Sequence, residues 1–515
     1  MIKNFKWLLL ASLTIVACDN SDDTDPVYNS SDGKPLTSGE ADFSKYVALG
    51  DSFAAGFSDG ALFIEGQKGA YPNLLAEQFA TVGGGDFTTP FMNDNNGGLL
   101  FGGIFNPSFG PRLYFNGTTP VTVTDLPTTD VANHLSGTFS NLGVPGAKSY
   151  HLLAPGYGSP AGLTTVPPTA NPYYVRFASS TSSSVIDDAM AQSPTFFSLW
   201  IGGNDELGYA TAGGDATVNP LTPPANFEGA YNALVARLVS GGAKGVVANL
   251  PSVVTLPHFH VIQYNQLTQV NLTVDGVSQV AALNAQLYGP LHNALAFLGQ
   301  GDRINLLSTT GNNPMLMVDE NLPNLSAQLT AVLNGGGLDI TTATVMGQIF
   351  GQARQTLPTD LICLSASARI GKAPSTAIDG VSSPSPSLSQ LGVTFPLPDR
   401  YVLLPSEVSE IQTATEAYNA TIQAAATANN LAYVDAKEVM RKLTEGGITA
   451  NGFTLTANFV TGGAFSLDGI HPSPRGYALI ANEFIKAINA KYGSNMKAKD
   501  LGKYRILFPA NPNAF

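Results

Sequence analysis

Cysteine is nearly absent from this sequence, which has only Cys18 and Cys363 among 515 residues. Two cysteines can form at most one disulfide, so a fold held together by several disulfides is excluded. Basic residues are also scarce, with 25 lysines and arginines against 38 acidic residues and a formal net charge of -13. So acidic a chain argues against nucleic acid or anionic lipid headgroups as the main partner.

The sequence also lacks the motifs that bind metals and phosphates. Its six histidines do not have the spacing of metal ligands, and Cys363 stands alone. No glycine-rich loop precedes a helix that begins with Lys-Ser or Lys-Thr, as a nucleotide-phosphate loop would require. We therefore expect no metal site and no cofactor.

The apolar run at residues 7–16 is too short to span a bilayer and has the length of a signal-peptide core. It ends in Ile15-Val16-Ala17-Cys18, which resembles a bacterial lipobox, where the cysteine is lipidated after cleavage. The alternative is an ordinary secretory signal with a chance cysteine. We expect residues 1–17 to be a lipoprotein signal peptide and Cys18 to carry lipid. Cys363 then has no partner, and the mature chain has no internal disulfide.

Residues 18–42 are polar, acidic and rich in serine, aspartate and glycine, a composition that predicts a flexible tether. Residues 21–25 resemble the acidic signal that sends some lipoproteins of the Bacteroidetes to the cell surface, although acidic linkers are common. We expect a lipoprotein anchored in the outer membrane through Cys18, and the acidic segment indicates the cell surface.

The candidate nucleophile lies in a strand-to-helix turn. The apolar residues 46–49 precede Gly50-Asp51-Ser52, and small residues then open a helix. Such a turn projects its central side chain and directs free N–H groups and the positive end of the helix dipole at the same spot. Glycine permits the turn, and a short Asp51 side chain can hold it. Ser52 therefore has the geometry of a nucleophile, the alternative being a serine that only caps the helix.

Further apolar runs at residues 138–142, 195–201, 243–250 and 431–434 predict strands that alternate with helices. Helices are predicted at residues 68–81, 227–239, 406–428 with Ser406 as N-cap, and 473–490. This alternation indicates an α/β protein with a parallel sheet and helices on both faces. The predicted domain covers residues 43–490, and residues 491–515 form a C-terminal tail.

Two segments interrupt this alternation. Residues 83–137 lose helical periodicity and are rich in aromatic residues, which either line a substrate site or pack within the insertion itself. Residues 256–400 are too long for a simple crossover and predict an inserted subdomain.

Four short motifs occur in chain order: Gly50-Asp51-Ser52-Phe53, residues 141–146, Gly202-Gly203-Asn204-Asp205 and Asp468-Gly469-Ile470-His471. In these motifs the chain resembles the SGNH (GDSL-type) hydrolase family over residues 43–490. Phe53 stands where that family usually has leucine, a position that should pack behind the nucleophile. The resemblance implies a three-layer α/β/α sandwich with a flavodoxin-like parallel sheet of five strands and no cofactor.

The resemblance also assigns roles to individual residues. Ser52 would be the nucleophile, His471 the general base, and Asp468 the acceptor that fixes the orientation of the imidazole. The oxyanion hole would consist of the N–H groups of Ser52 and Gly146 and the side-chain amide of Asn204.

Other polar residues have less specific interpretations. Asp51 and Asp205 flank the site and are expected to hold backbone turns. The other five histidines have no similarly placed acid and are expected to be structural: His134, His151, His258, His260 and His292. A rival nucleophile, Ser58, lies in Gly56-Phe57-Ser58-Asp59-Gly60, which matches the G-x-S-x-G elbow. That elbow needs a strand directly before it, and no such strand fits here.

Together these features predict a serine hydrolase that cleaves carboxylic esters, with an acyl lipid or an acylated carbohydrate as its ester substrate. The aromatic insertion and the large subdomain favour a bulky or acyl-chain substrate, and so a lipase or esterase. A carbohydrate O-acetyl esterase is the alternative enzyme. The non-enzymatic alternative is a surface lipoprotein that binds glycan or lipid without turnover.

We predict that replacing Cys18 with serine (Cys18→Ser) releases the protein from the membrane, because the lipid is attached to the thiol. Membrane fractionation and mass spectrometry of the mature N-terminus check this. A mature N-terminus with an unmodified Cys18, or cleavage at another position, would show that the lipobox interpretation is wrong.

Overall fold

The structure is a computed structural model that describes residues 29–514. A sheet of five strands lies at its centre: β1 (Tyr46–Gly50), β2 (Asn141–Gly143), β3 (Phe196–Trp200), β4 (Lys244–Ala248) and β5 (Ala432–Val434). The strand order is β5-β4-β3-β1-β2, and every neighbouring pair is parallel. This is the order of flavodoxin-like sheets, so the predicted fold class is confirmed.

The central strands are almost entirely apolar because both faces of the sheet are covered, and the hydroxyl of Ser198 in β3 bonds to that of Tyr46 in β1. All five residues of β1 are buried, and so are all five of β3. Strands covered on both faces have no solvent side on which polar residues could alternate. This explains why the central strands could be recognised from short, continuous apolar runs.

The main helices are α1 (Ser52–Ala55), α2 (Tyr71–Ala80), α3 (Val185–Met190), α4 (Gly203–Thr211), α5 (Pro224–Val239), α6 (Pro405–Ala428), α7 (Ala436–Glu445) and α8 (Pro474–Tyr492). Helices α2 and α8 pack together, with the rings of Tyr71 and Phe484 stacked 4.7 Å apart. Helices α5 and α6 also pack together, and Phe227 stacks on Tyr418 at 4.3 Å. Helices α8 and α6 both contact β4 and β5, which is consistent with a three-layer sandwich.

Two helix starts differ from the sequence expectation. The helix predicted at residues 68–81 begins at Tyr71, and Lys68 instead ends a separate short helix, Ile64–Lys68. Pro72 lies in the first turn of α2, where its missing N–H costs nothing. Helix α6 begins at Pro405, so Ser406 lies inside it and Leu404 is the capping residue. Proline at the first helical position again sets the boundary.

The insertion at residues 83–137 contains two hairpins. Leu100–Phe101 pairs with Ile104–Phe105, and Leu113–Phe115 pairs with Pro120–Thr122. The rings of Phe101 and Phe109 lie 5.5 Å apart, and Phe109 lies 6.0 Å from Tyr173. Phe101 and Phe109 therefore pack against each other as the packing alternative expects, and Phe109 also contacts Tyr173, which lies outside the insertion.

The segment at residues 256–400 buries a hydrophobic cluster of its own, which extends from Ile262 to Leu404. It contains the helices Val280–Leu283, Gly289–Phe297, Ser326–Gly335, Ile340–Phe350 and Thr376–Asp379, and the hairpin of Leu316–Val318 with Ala353–Gln355. Arg354 in this hairpin is buried and forms ion pairs with Asp319 and Asp360. Strand Leu361–Ile362 pairs with Val402–Leu403, directly before α6.

The two ends of the described chain contact each other. The N–H of Ser31 donates to the carbonyl of Asn495, and the N–H of Glu40 donates to the carbonyl of Tyr492, both at 2.8 Å. Ser31 and Glu40 thus bond to the chain at and just beyond the end of α8, whereas the composition of residues 18–42 predicted a flexible tether, because composition does not report contacts with distant residues. Cys18 and the signal segment lie outside the described residues. Within residues 29–514, no helix combines the length and apolar character needed to cross a membrane.

Candidate active site

The turn after β1 places Ser52 at the first position of α1. Asp51 is the N-cap of this helix, and its carboxylate accepts a hydrogen bond from the N–H of Phe53 at 3.0 Å. Burial raises the pKa of the Asp51 carboxyl to about 7. Gly50 is required before the cap, because a Cβ there would lie 2.5 Å from the carbonyl oxygen of Trp200. Asp51 therefore holds the backbone of the turn, as expected.

Ser52 and His471 lie in direct contact although 419 positions separate them. The Oγ of Ser52 is 2.8 Å from Nε2 of His471, and Nδ1 of His471 is 2.8 Å from Oδ2 of Asp468. An ionised carboxylate can only accept, so Nδ1 carries the hydrogen and Nε2 accepts from the serine hydroxyl. This is the arrangement in which a histidine can remove the proton of an attacking serine.

The carboxylate of Asp468 accepts five hydrogen bonds. Oδ2 accepts from Nδ1 of His471 and from the N–H of Gly60, and Oδ1 accepts from the Ser466 hydroxyl and the N–H groups of Ile470 and His471. Burial by itself would raise the pKa of Asp468, but the His471 charge and these hydrogen bonds lower it below its usual value. Asp468 is therefore held ionised beside the imidazole.

The rival motif at residues 56–60 has a different task. The hydroxyl of Ser58 donates to the carbonyl of Pro472 at 3.1 Å, and the side chain is buried. The N–H of Asp59 donates to Ser466, and its carboxylate accepts from the N–H of Leu467 at 2.8 Å. The N–H of Gly60 donates to Asp468 as well. Residues 58–60 therefore hold in place the loop that carries Asp468 and His471.

Gly146 is an exposed residue in a mostly buried loop beside the C-terminal end of β1. The N–H of Val144 donates to the carbonyl of Gly50 at 3.0 Å, which fixes the loop against the nucleophile turn. Gly146 itself has a φ of +80°, a conformation that favours glycine, and a Cβ there would meet nothing within 4 Å. Its backbone is thus open to a bound molecule.

Asn204 and Ser52 line one cleft, together with residues that include Phe53, Trp200 and Leu256. The Nδ2 of Asn204 donates to the carbonyl of Ala147 at 3.0 Å, which uses one of its two amide hydrogens. The neighbouring Asp205 accepts from both the N–H and the hydroxyl of Ser149, at 2.8 and 2.7 Å. Asp205 thus joins the Gly146 loop to α4. This agrees with the expectation that Asp205 holds a backbone turn.

The remaining histidines bond to the backbone. His134, His258, His260 and His292 contact carbonyl oxygens, and Nδ1 of His151 accepts from the N–H of Lys148. His258 lies closest to the site, since its N–H donates to the carbonyl of Gly469 and its Nδ1 is 3.2 Å from the carbonyl of Asp468. Burial lowers the pKa of the His258 imidazole, which suits a neutral structural residue.

Sequence reasoning missed the groups that hold these residues in place. Gly60 contributes only a backbone N–H, which has no signature in a sequence. Ser466 precedes Asp468 by two residues, a spacing typical of a hydroxyl that caps a turn, so this serine could have been noticed. Asn141 bonds the carbonyl of Ala54 at 2.9 Å and thereby joins β2 to α1.

Comparison with known proteins agrees with this geometry in part. Residues 295–484 match the family model described as GDSL-like Lipase/Acylhydrolase. The match includes Asp468 and His471, whereas Ser52, Gly146 and Asn204 precede it. No curated protein and no solved structure gave a match. The matched family supports the resemblance to SGNH hydrolases and, with it, ester hydrolysis as the class of chemistry.

We expect Asn204→Ala to lower kcat by about 10²–10³-fold with little change in KM, because an oxyanion donor meets charge that exists only in the transition state. The check is steady-state kinetics on one activated ester, with folding monitored by circular dichroism. Asn232→Ala, an exposed asparagine on α5, is the matched control. A higher KM at constant kcat would make Asn204 a substrate-binding residue instead.

Proposed function

We propose that this chain is a serine hydrolase that cleaves carboxylic esters through an acyl-enzyme on Ser52. The observation that carries the proposal is the chain of two 2.8 Å contacts from Ser52 through His471 to Asp468. A serine that only capped α1 would not need a histidine at its hydroxyl. In this helix the capping contact is made by Asp51 instead.

The reaction would proceed in two steps. The Oγ of Ser52 attacks the carbonyl carbon of the ester while its proton moves to Nε2 of His471. The same proton then passes to the oxygen of the leaving alcohol, and the acyl group remains on Ser52. In the second step a water gives its proton to His471, attacks the acyl carbon and releases the acid. Asp468 stabilises the imidazolium in both steps.

The oxyanion of each tetrahedral intermediate would accept hydrogen bonds from three donors. The N–H of Ser52 belongs to the first turn of α1, where backbone N–H groups have no partner within the helix. Gly146 and Asn204 supply the others, and their positions are supported by the bonds that join the loop around Ala147 to α4. Because these donors are fixed beforehand, they would not need to reorient as charge develops.

The substrate class follows from an apolar cavity beside the cleft, which we call the acyl cavity. It shares Phe53, Trp200, Pro251 and Leu256 with the cleft that contains Ser52. Its far walls come from α7 and α8, including Val439, Met440, Leu443, Leu479, Ile480 and Phe484. Among the lining residues, Glu483 alone is charged. A hydrocarbon chain suits such walls, and we therefore propose a lipase or esterase acting on esters of apolar acyl chains.

The acyl cavity and the contact between Ser52 and His471 argue against the two alternative functions. An O-acetyl esterase of carbohydrates needs room for a sugar and only a methyl group on the acyl side, so an acyl cavity would have no use there. A binding protein without turnover would not need the hydrogen-bonded pair of Ser52 and His471. We also propose that the protein is anchored in the outer membrane by lipid on Cys18, which would place the hydrolase next to lipids.

A fluorophosphonate probe tests the reaction, because it labels only an activated serine. We expect labelling of the wild-type protein and of Ser58→Ala, and no labelling or ester hydrolysis in Ser52→Ala. Ser58→Ala is the matched control, since it removes a buried serine hydroxyl from the same turn region. Labelling that survives in Ser52→Ala but is lost in Ser58→Ala would overturn the assignment.

The substrate class is tested with p-nitrophenyl esters from acetate to palmitate. We expect kcat/KM to rise by roughly fourfold per methylene while the chain enters the cavity, since each buried methylene contributes about 0.8 kcal/mol. Val439→Trp should depress hydrolysis of the long esters and spare acetate, because the indole would fill the cavity. Lys437→Trp, on the exposed side of α7, should leave the profile unchanged.

A profile that is highest for acetate, with rapid release of acetate from an acetylated polysaccharide, would favour the carbohydrate esterase. Equal effects of Val439→Trp on acetate and on the long esters would place the acyl chain elsewhere.

A further inference from the structure

A cluster of three carboxylates lies where the segment at residues 256–400 meets the long helix α6. Glu320 follows the strand Leu316–Val318, Asp399 begins a single helical turn, and Glu407 lies in the first turn of α6. One carboxylate oxygen from each lies within 4.8 Å of the other two. An acidic cluster on a surface is by itself common, so the burial and hydrogen bonding of its members decide what it can do.

Glu407 differs from an ordinary surface carboxylate. Glu407 is only 4% exposed, and its Oε1 is buried and accepts no hydrogen bond. The other oxygen, Oε2, accepts from the N–H of Leu404 at 2.7 Å, which fixes the orientation of the group. The Oδ1 of Asp399 is also buried without a donor. A buried oxygen that lacks a donor is costly, and a bound cation would offset that cost for both oxygens.

Among the residues that the structure describes, no lysine, arginine or histidine forms an ion pair with Glu320, Asp399 or Glu407. The charges that act on Asp399 and Glu407 belong to other carboxylates, those of Asp215, Asp319, Glu320 and Glu410. The arginines of the inserted segment bond elsewhere: Arg354 pairs with Asp319 and Asp360, Arg369 pairs with Asp379, and Arg303 and Arg400 donate to backbone carbonyls. The backbone at Gly214, just after α4, also packs closely against Glu407, since a Cβ there would collide with the carboxyl carbon of Glu407.

We propose that Glu320, Asp399 and Glu407 bind a Ca²⁺ ion. Hard divalent cations prefer carboxylate oxygens, and Ca²⁺ binds them at about 2.3–2.6 Å in flexible geometry. Two oxygens bound to one such ion can be at most roughly 5 Å apart, and the three carboxylate oxygens lie close enough together to meet that requirement. Glu320 is exposed, so water has access to complete the coordination sphere. Glu320 and Asp399 are 79 positions apart in the sequence, so no short motif predicts the site.

The ion would join three segments of the chain. It would connect the hairpin of the inserted segment and the turn at Asp399 to the start of α6, which packs against α4. The role is structural, since Asn204 lies at the opposite end of α4 from Gly214. The proposal does not depend on the ester hydrolysis proposed above.

The test is calorimetric titration of the full-length protein, freed of metal with EDTA, against CaCl₂. We expect one Ca²⁺ per chain and a higher melting temperature with the ion bound. Asp399→Asn, Glu407→Gln and Glu320→Gln should each weaken binding by at least about tenfold. Glu416→Gln, an exposed carboxylate on the same helix α6, should bind like the wild type.

Glu320→Gln keeps the test decisive if the buried variant Glu407→Gln does not fold, because Glu320 is exposed and its replacement disturbs no packing. Absence of binding by the wild type up to about 10 mM CaCl₂ would overturn the proposal. So would equal affinities of the wild type, Glu320→Gln and Asp399→Asn, since the ion would then bind elsewhere.

Discussion

The Asp468 carboxylate holds together parts of the chain that are far apart in sequence. It accepts hydrogen bonds from its own loop, from His471 and from Gly60, which is 408 positions away. The neighbouring Asp59 is buried too, and it also binds this loop through the N–H of Leu467. Burial and the nearby Asp468 raise the pKa of Asp59 to about 7. Two buried carboxylates are costly to place side by side, and their backbone donors are what offset that cost.

The sheet determines where this interaction takes place. Ser52 follows β1, which lies between β2 and β3, where the strand order reverses. The crossover connections leave this point in opposite directions, so a crevice opens at the carboxyl ends of the strands. The Gly146 loop and α4 follow β2 and β3, and they therefore border the same crevice. The parallel sheet thus brings the Gly146 loop and α4 to the edge at which Ser52 lies.

Helix α4 links the site to the rest of the molecule. At its beginning, Asn204 and Asp205 bond the loop that carries Gly146. In its first turn, Glu206 accepts from the Thr415 hydroxyl of α6, and the chain just beyond its end packs against Glu407. The same helix therefore contacts both the loop that carries Gly146 and the helix that follows the inserted segment. The matched family region, residues 295–484, contains α6 but neither α4 nor Ser52.

The sequence by itself determined the features that depend on neighbouring residues. A buried strand followed by Gly50-Asp51-Ser52 predicts the turn, and Asp468 three residues before His471 predicts their contact, since both patterns act within a few residues. The sequence also favoured Ser52 over Ser58, because no strand fits before Ser58. The tertiary structure agrees, since Ser52 contacts His471 whereas Ser58 bonds the carbonyl of Pro472. Only the tertiary structure shows the acyl cavity between α7 and α8 and the cluster around Glu407. Those depend on which distant side chains pack together, and local periodicity and capping carry no record of that.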